Sequence, residues 1–219
     1  MANIAVALTD VLAERRESGS PGGTIPRVIA RGDGWSVADV LCTSGPQDRP
    51  FEEKHDRYAL AVVVAGTFLY RSPTGRGVMT PGSLLLGNTG HCFECGHEHS
   101  EGDRCVSFWY DSDYFERLAA DAGARGRRAG FAVSRLPPLR SLSPLVTRAW
   151  AGSLDPQNVP WEELAIALAS RSLELGGSVG SMRARGPLNS EALVARAVRE
   201  IDHHPAGDHT LGRLARRAG

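Results

Sequence analysis

The chain has 219 residues, 42% of them hydrophobic and 23% charged, with a formal net charge of zero. That length suits one good-sized domain plus a smaller helical appendage. The zero balance excludes a chain-wide electrostatic case for nucleic acid or a membrane surface, so any such case has to be local.

No basic segment followed by an apolar run opens the chain, and no stretch approaches 18 apolar residues. Neither a signal peptide nor a membrane span is predicted. A cytoplasmic location is expected, and with it four cysteines kept as thiols or metal ligands rather than as disulfides. One lysine, Lys54, stands against 24 arginines, a ratio that reflects a GC-rich coding sequence more often than phosphate binding.

Residues 2–16 carry Ile4, Leu8, Val11 and Leu12 at helical spacing, and the run from Ser18 to Gly23 breaks the pattern. Residues 1–24 therefore read as an N-terminal helix and loop. From 25 to 140 short β-like runs take over, at 35–42, 58–70 around Gly66, 82–87 and 105–110, with Gly, Pro, Asn and Asp between them. Several short strands without intervening helices predict a sandwich or small barrel.

Beyond 140 the period becomes helical. Ser143 and Pro144 are placed to open one helix, running to about Leu154. Pro160 opens the next, with Glu162 and Glu163 in its first turn and Gly176-Gly177 as its expected stop. In that second helix Trp161, Leu164, Ala165, Leu168, Ser172 and Leu175 share one face, while Ile166 and Leu173 form a second stripe. The first face predicts packing on the barrel. The second fits a dimer seam or a helix buried on two sides equally well. Residues 141–177 thus form a packing or dimerisation segment, and 178–189 read as a linker.

From 190 a helix is expected with Leu193, Val194, Ala197, Val198 and Ile201 on one face, ended by Pro205. Thr210 is placed to cap a last helix with Leu211, Leu214, Ala215 and Ala218 along it. From Arg183 onward seven arginines face four acids, a modest local excess of positive charge.

The densest polar cluster is His91-Cys92-Phe93-Glu94-Cys95-Gly96-His97-Glu98-His99, followed by Cys105. Cys92-x-x-Cys95-Gly96-His97 is similar to a zinc knuckle, in which two thiolates hold one ion from a tight turn. His97 and His99 are the nearest further ligands, and Cys105, Cys42 or His55 can arrive from neighbouring strands. Thiolates favour zinc or a softer ion over calcium or magnesium. Two other readings stay open: small core cysteines beside a solvated His-rich loop, and a thiol redox switch using Cys92 and Cys95. Gly123-Ala124-Arg125-Gly126 reads as a solvated loop sooner than as a phosphate contact.

Three stretches together resemble AraC-type bacterial transcription regulators. The first is His55 with Tyr58–Gly66 and Phe68–Arg71, and the second is Thr80-Pro81-Gly82-Ser83-Leu84-Leu85-Leu86-Gly87. These are similar to the two halves of a cupin barrel. The third, Glu200–Pro205 with Thr210–Gly219, is similar to the opening of that family's DNA-binding module.

The resemblance implies an α+β chain: a cupin-like antiparallel β-barrel, then helices, then the first two helices of an incomplete helix-turn-helix at 190–219. It further implies an effector-sensing role, a homodimer, a metal or small-molecule effector, and DNA as a partner of the full-length protein only. The helix that would read bases is absent from this sequence. A plain C-terminal helical hairpin is the alternative for 190–218.

A cupin enzyme would hold iron or manganese through three His and a Glu. Here the first motif offers His55 alone, so the chain is not expected to be an enzyme. A metal-dependent cupin enzyme and a thiol redox sensor remain the alternatives.

Overall fold

The computed structural model describes residues 3–124, 129–179 and 190–218. The expected linker falls almost entirely outside these residues, and so does the basic run at 125–128.

The first helix, α1 (Asn3–Ser18), is followed by nine strands: β1 (Thr24–Gly32), β2 (Trp35–Cys42), β3 (Phe51–Lys54), β4 (Tyr58–Gly66), β5 (Phe68–Ser72), β6 (Gly75–Met79), β7 (Leu84–Gly87), β8 (Cys92–Gly96) and β9 (Asp103–Tyr110). A helix α2 (Ser112–Asp121) and a short strand β10 (Arg135–Leu136) come next. The remainder is helical: α3 (Ser143–Leu154), α4 (Trp161–Val179), α5 (Ser190–His203) and α6 (Leu211–Ala218).

The strands form two antiparallel sheets, ordered β1-β2-β9-β4-β7-β10 and β3-β8-β5-β6. Their pairing is nested. Hairpin β5–β6 lies innermost, then β4 pairs with β7, β3 with β8 and β2 with β9. Successive nested pairs alternate between the sheets, which is one long hairpin rolled into a double-sheet jelly roll, the architecture of cupins. The expected antiparallel barrel is formed.

Period-two alternation divides the larger sheet's side chains between two cores. Leu60, Val62, Val106, Phe108 and Tyr110 face outward against α2, α3 and α4, where Phe115, Ala149, Trp161, Leu164 and Leu168 complete an apolar layer. Ala61, Val63 and Cys105 face inward and meet Phe68, Tyr70, Met79 and Cys95 in the barrel interior. Tyr110 Oη donates to the Ala165 carbonyl at 2.9 Å and fixes α4 on the sheet.

α4 runs through Gly176 and Gly177 to Val179, past its expected stop. A glycine costs a helix about 1 kcal/mol without ending it. Ser143 lies inside α3 rather than capping it: the N-cap is Leu142 and makes no side-chain cap bond. Thr210 does cap α6, its Oγ1 accepting from the Arg213 amide at 3.3 Å.

Two elements cover the barrel's remaining surfaces. α1 lies over one end, with Leu8 and Leu12 buried. Arg15 grips Asp48 with two bonds of 2.7 and 2.9 Å and also donates to the Thr43 carbonyl. α5 lies on the outer face of the smaller sheet, where Ala195 is buried and Arg76 donates to Glu191 at 3.0 Å.

Candidate metal centre

β8 decides how the Cys/His cluster is arranged. The stretch expected to make a knuckle turn is an extended strand paired with β3, Cys92 opposite Lys54 and Cys95 opposite Phe51. Residues three apart in a strand point to opposite faces. Cys92 is accordingly exposed and Cys95 is buried in the barrel. No knuckle forms, and the expectation that these two thiols share one ion is corrected on that ground. His99 is exposed in the turn after β8, whereas His97 is buried. Their neighbours Glu94 and Glu98 both accept from Arg71.

The interior gathers a different set. Cys42 ends β2 directly opposite Asp103, the first residue of β9, and Cys105 lies two residues further along the same face of β9. His97 enters from the turn after β8, and its Nε2 donates to Asp103 Oδ2 at 2.7 Å. The Cys105 thiol donates to the other carboxylate oxygen at 3.3 Å. Donor atoms of Cys42, His97 and Asp103 all lie within 4.8 Å of one another, close enough to hold one metal ion.

Backbone geometry makes the room. Gly66, opposite Asp103, has a φ of +76°, and a side chain there would run into the Gly102 carbonyl. Asp103 carries no motif and was not singled out in the sequence. Its one signal is the two-residue spacing from Cys105, which puts both on one face of a strand.

The cluster is dry. His97 has 1% and Asp103 9% of its side chain exposed. Burial alone would lower the His97 imidazole, but the hydrogen bond to Asp103 and the neighbouring Cys42 outweigh it and hold the ring up to about 9. Burial and then Asp103 push the Cys95 and Cys105 thiols well above their ordinary range. Without a cation these two are therefore thiols and poor nucleophiles, which weighs against a redox switch built on Cys95.

His55 does not join this cluster. It lies under Phe93, with ring centroids 4.1 Å apart, and its Nε2 meets the Tyr70 hydroxyl at 2.9 Å. Gly87 leaves the space, since a side chain there would overlap the ring. Burial lowers the His55 pKa to about 4, Asp56 raising it slightly and His91 lowering it. Among the described residues, neither His55 nor His91 belongs to a group with metal-ligand spacing. The residues present do not fit the iron or manganese site of a cupin enzyme.

No protein-family model matches the chain, and no curated protein matches it. Solved structures similar to it include cupin-fold proteins. The EutQ protein of Clostridium difficile is 10% identical over 42% of this chain and 71% of its own, with a TM-score of 0.36. A cupin superfamily protein from Desulfitobacterium hafniense is 10% identical over 42% and 82%, with a TM-score of 0.36. A cupin domain from Bordetella pertussis is 17% identical over 42% and 98%, with a TM-score of 0.34. The fold itself is given by the strand order above. Among the described residues no helix is long and apolar enough to cross a membrane.

Proposed function

We propose that this chain is the effector-sensing part of a bacterial AraC-type transcription regulator, with a sensory rather than catalytic barrel. One observation carries the reading: α5 is seated on the four-stranded sheet beside the turn after β8, and from that turn His97 reaches the buried polar cluster carried by β2 and β9. β8 turns Cys95 inward, while its next residue, Gly96, lines the crevice beneath Glu191 and Ala195 of α5. In the resemblance drawn from the sequence, α5 is the first helix of the DNA-binding module and α6 the scaffold helix. An event at the cluster then reaches the output helices through the turn that carries His97, whose neighbours Glu98, His99 and Ser100 border Glu191 and Ala195.

The surface of the helix pair supports the same reading. Val194 is 44% exposed, Ile201 38% and Leu211 85%, so each helix of the pair leaves large apolar side chains uncovered. DNA is then the partner of the full-length product, a second copy of the chain completes a dimer, and the effector binds within the barrel.

The test is a mobility-shift assay with the full-length gene product on genomic fragments. The expected result is a discrete complex that survives competitor DNA and whose affinity changes with the barrel's effector. Retention that is only sequence-independent and vanishes with added salt would overturn the reading.

A further inference from the structure

We propose that Cys42, His97, Asp103 and Cys105 form a binding site for a thiophilic divalent cation of the zinc class, enclosed under α1. The donor set is that of a four-coordinate zinc site: two sulfurs, one imidazole nitrogen and one carboxylate oxygen. At ordinary zinc bond lengths and tetrahedral angles, neighbouring donors stand about 3.3–3.8 Å apart. Cys42, His97 and Asp103 already lie within 4.8 Å of one another, and Cys105 Sγ is 3.3 Å from Asp103. Closing the shell brings Cys105 in to join the three-residue group, and the two thiols and the His97 imidazolium each release a proton to solvent as it forms.

The His97–Asp103 contact marks the place of the ion. Nε2 donates to Asp103 Oδ2 at 2.7 Å, and Cys42 lies beside the same two groups. A cation that replaces the proton between Nε2 and Oδ2 makes both of them ligands, their separation opening toward the donor spacing of a tetrahedral site. Oxygen-seeking cations such as calcium or magnesium fit poorly where two sulfurs make half the shell.

α1 shuts the site from solvent. Leu12 packs over Gly102, the residue before Asp103, and Arg15 ties the helix to Thr43, the residue after Cys42.

The proposal names an effector class for the sensory reading above and rests on it for its biological role, but it is tested separately. Chain stripped with a chelator is titrated with cobalt(II) and then with zinc(II). One equivalent of cobalt is expected to give thiolate charge-transfer and tetrahedral d–d absorption, and zinc to abolish both. Cys42→Ser, Cys105→Ser and Asp103→Asn are each expected to weaken zinc at least about 10-fold, while Cys92→Ser leaves it unchanged.

A second measurement needs no variant: zinc is expected to slow maleimide labelling of Cys42 and Cys105, read by peptide mass, and to leave Cys92 as reactive as before. Absence of the cobalt bands, dependence on Cys92 alone, or zinc-independent labelling of Cys42 and Cys105 would each overturn the site. Zinc bound at the site with no change in the amide exchange of α5 would keep the site and remove the sensory reading.

Discussion

His55 shows how much one buried imidazole controls. Its ring is held neutral, with a pKa lowered to about 4 from 6.5. Between those values the unfolded chain binds more protons than the folded one, so stability rises with pH. The contribution is complete above pH 6.5 and is lost as the pH falls toward 4, a loss of roughly 3 kcal/mol for a gap of that size. Urea unfolding at pH 7.5 and 4.5 measures it, and the difference between wild type and His55→Gln isolates it from other groups. An equal pH dependence in both proteins would refute the assignment.

The limits of sequence spacing also lie at this scale. The Cys92–Cys95 spacing is the same in a knuckle turn and in a strand, yet the strand sends the two thiols to opposite faces. Cys42 and Cys105 were legible only as candidates to be brought in by neighbouring strands, and His97 only as a ligand adjoining the knuckle. Asp103 belongs to no motif, and only the register of β2 with β9 sets it against Cys42.

At the scale of elements, what could be read depended on which faces are buried. β2, β4, β7 and β9 lie between the barrel interior and, over most of their length, the covering helices, so they appear as near-continuous apolar runs. Most residues of β1, β3 and β6 are exposed or half-buried, and sequences such as Phe51-Glu52-Glu53-Lys54 show no periodicity. β8 is hidden among polar residues, and α2 falls inside the stretch expected to hold strands without intervening helices, although Phe115, Leu118 and Ala119 are buried on one helix face. α1 was placed correctly as a helix, but its role as a cover depends on Leu12 reaching Gly102, which no local pattern encodes. Replacing Leu12 by Ala should cost about 2–3 kcal/mol and speed the thiol labelling of Cys42 several-fold, with Cys92 unchanged. Labelling as slow as in the wild type would show that α1 does not control access.

At the scale of the whole molecule, the order barrel, packing helices, terminal helix pair was legible, whereas the seat of α5 was not. The apolar face expected of α5 runs through Val194 and Ile201, and both are exposed. The barrel is met instead by Ala195, with 3% exposure, and by Glu191 through Arg76. A small residue docks because the sheet beneath it, around Leu69, Val78 and Gly96, leaves only a shallow crevice. Such an interface is modest. An exposed ion pair such as Arg76–Glu191 contributes at most about 1 kcal/mol, and one buried alanine adds little apolar area.

The helix pair should therefore separate from the barrel at low cost, as an output element has to. Ala195→Glu puts an unpaired carboxylate at the seat, a larger penalty than the interface can offset. Amide exchange in α5 and α6 should then rise toward that of a frayed segment, while α4 and the six-stranded sheet keep their protection and the urea midpoint of the barrel holds. If α4 and the sheet lost protection together with α5, the helix pair would be an integral part of the core, and no event inside the barrel could release it alone.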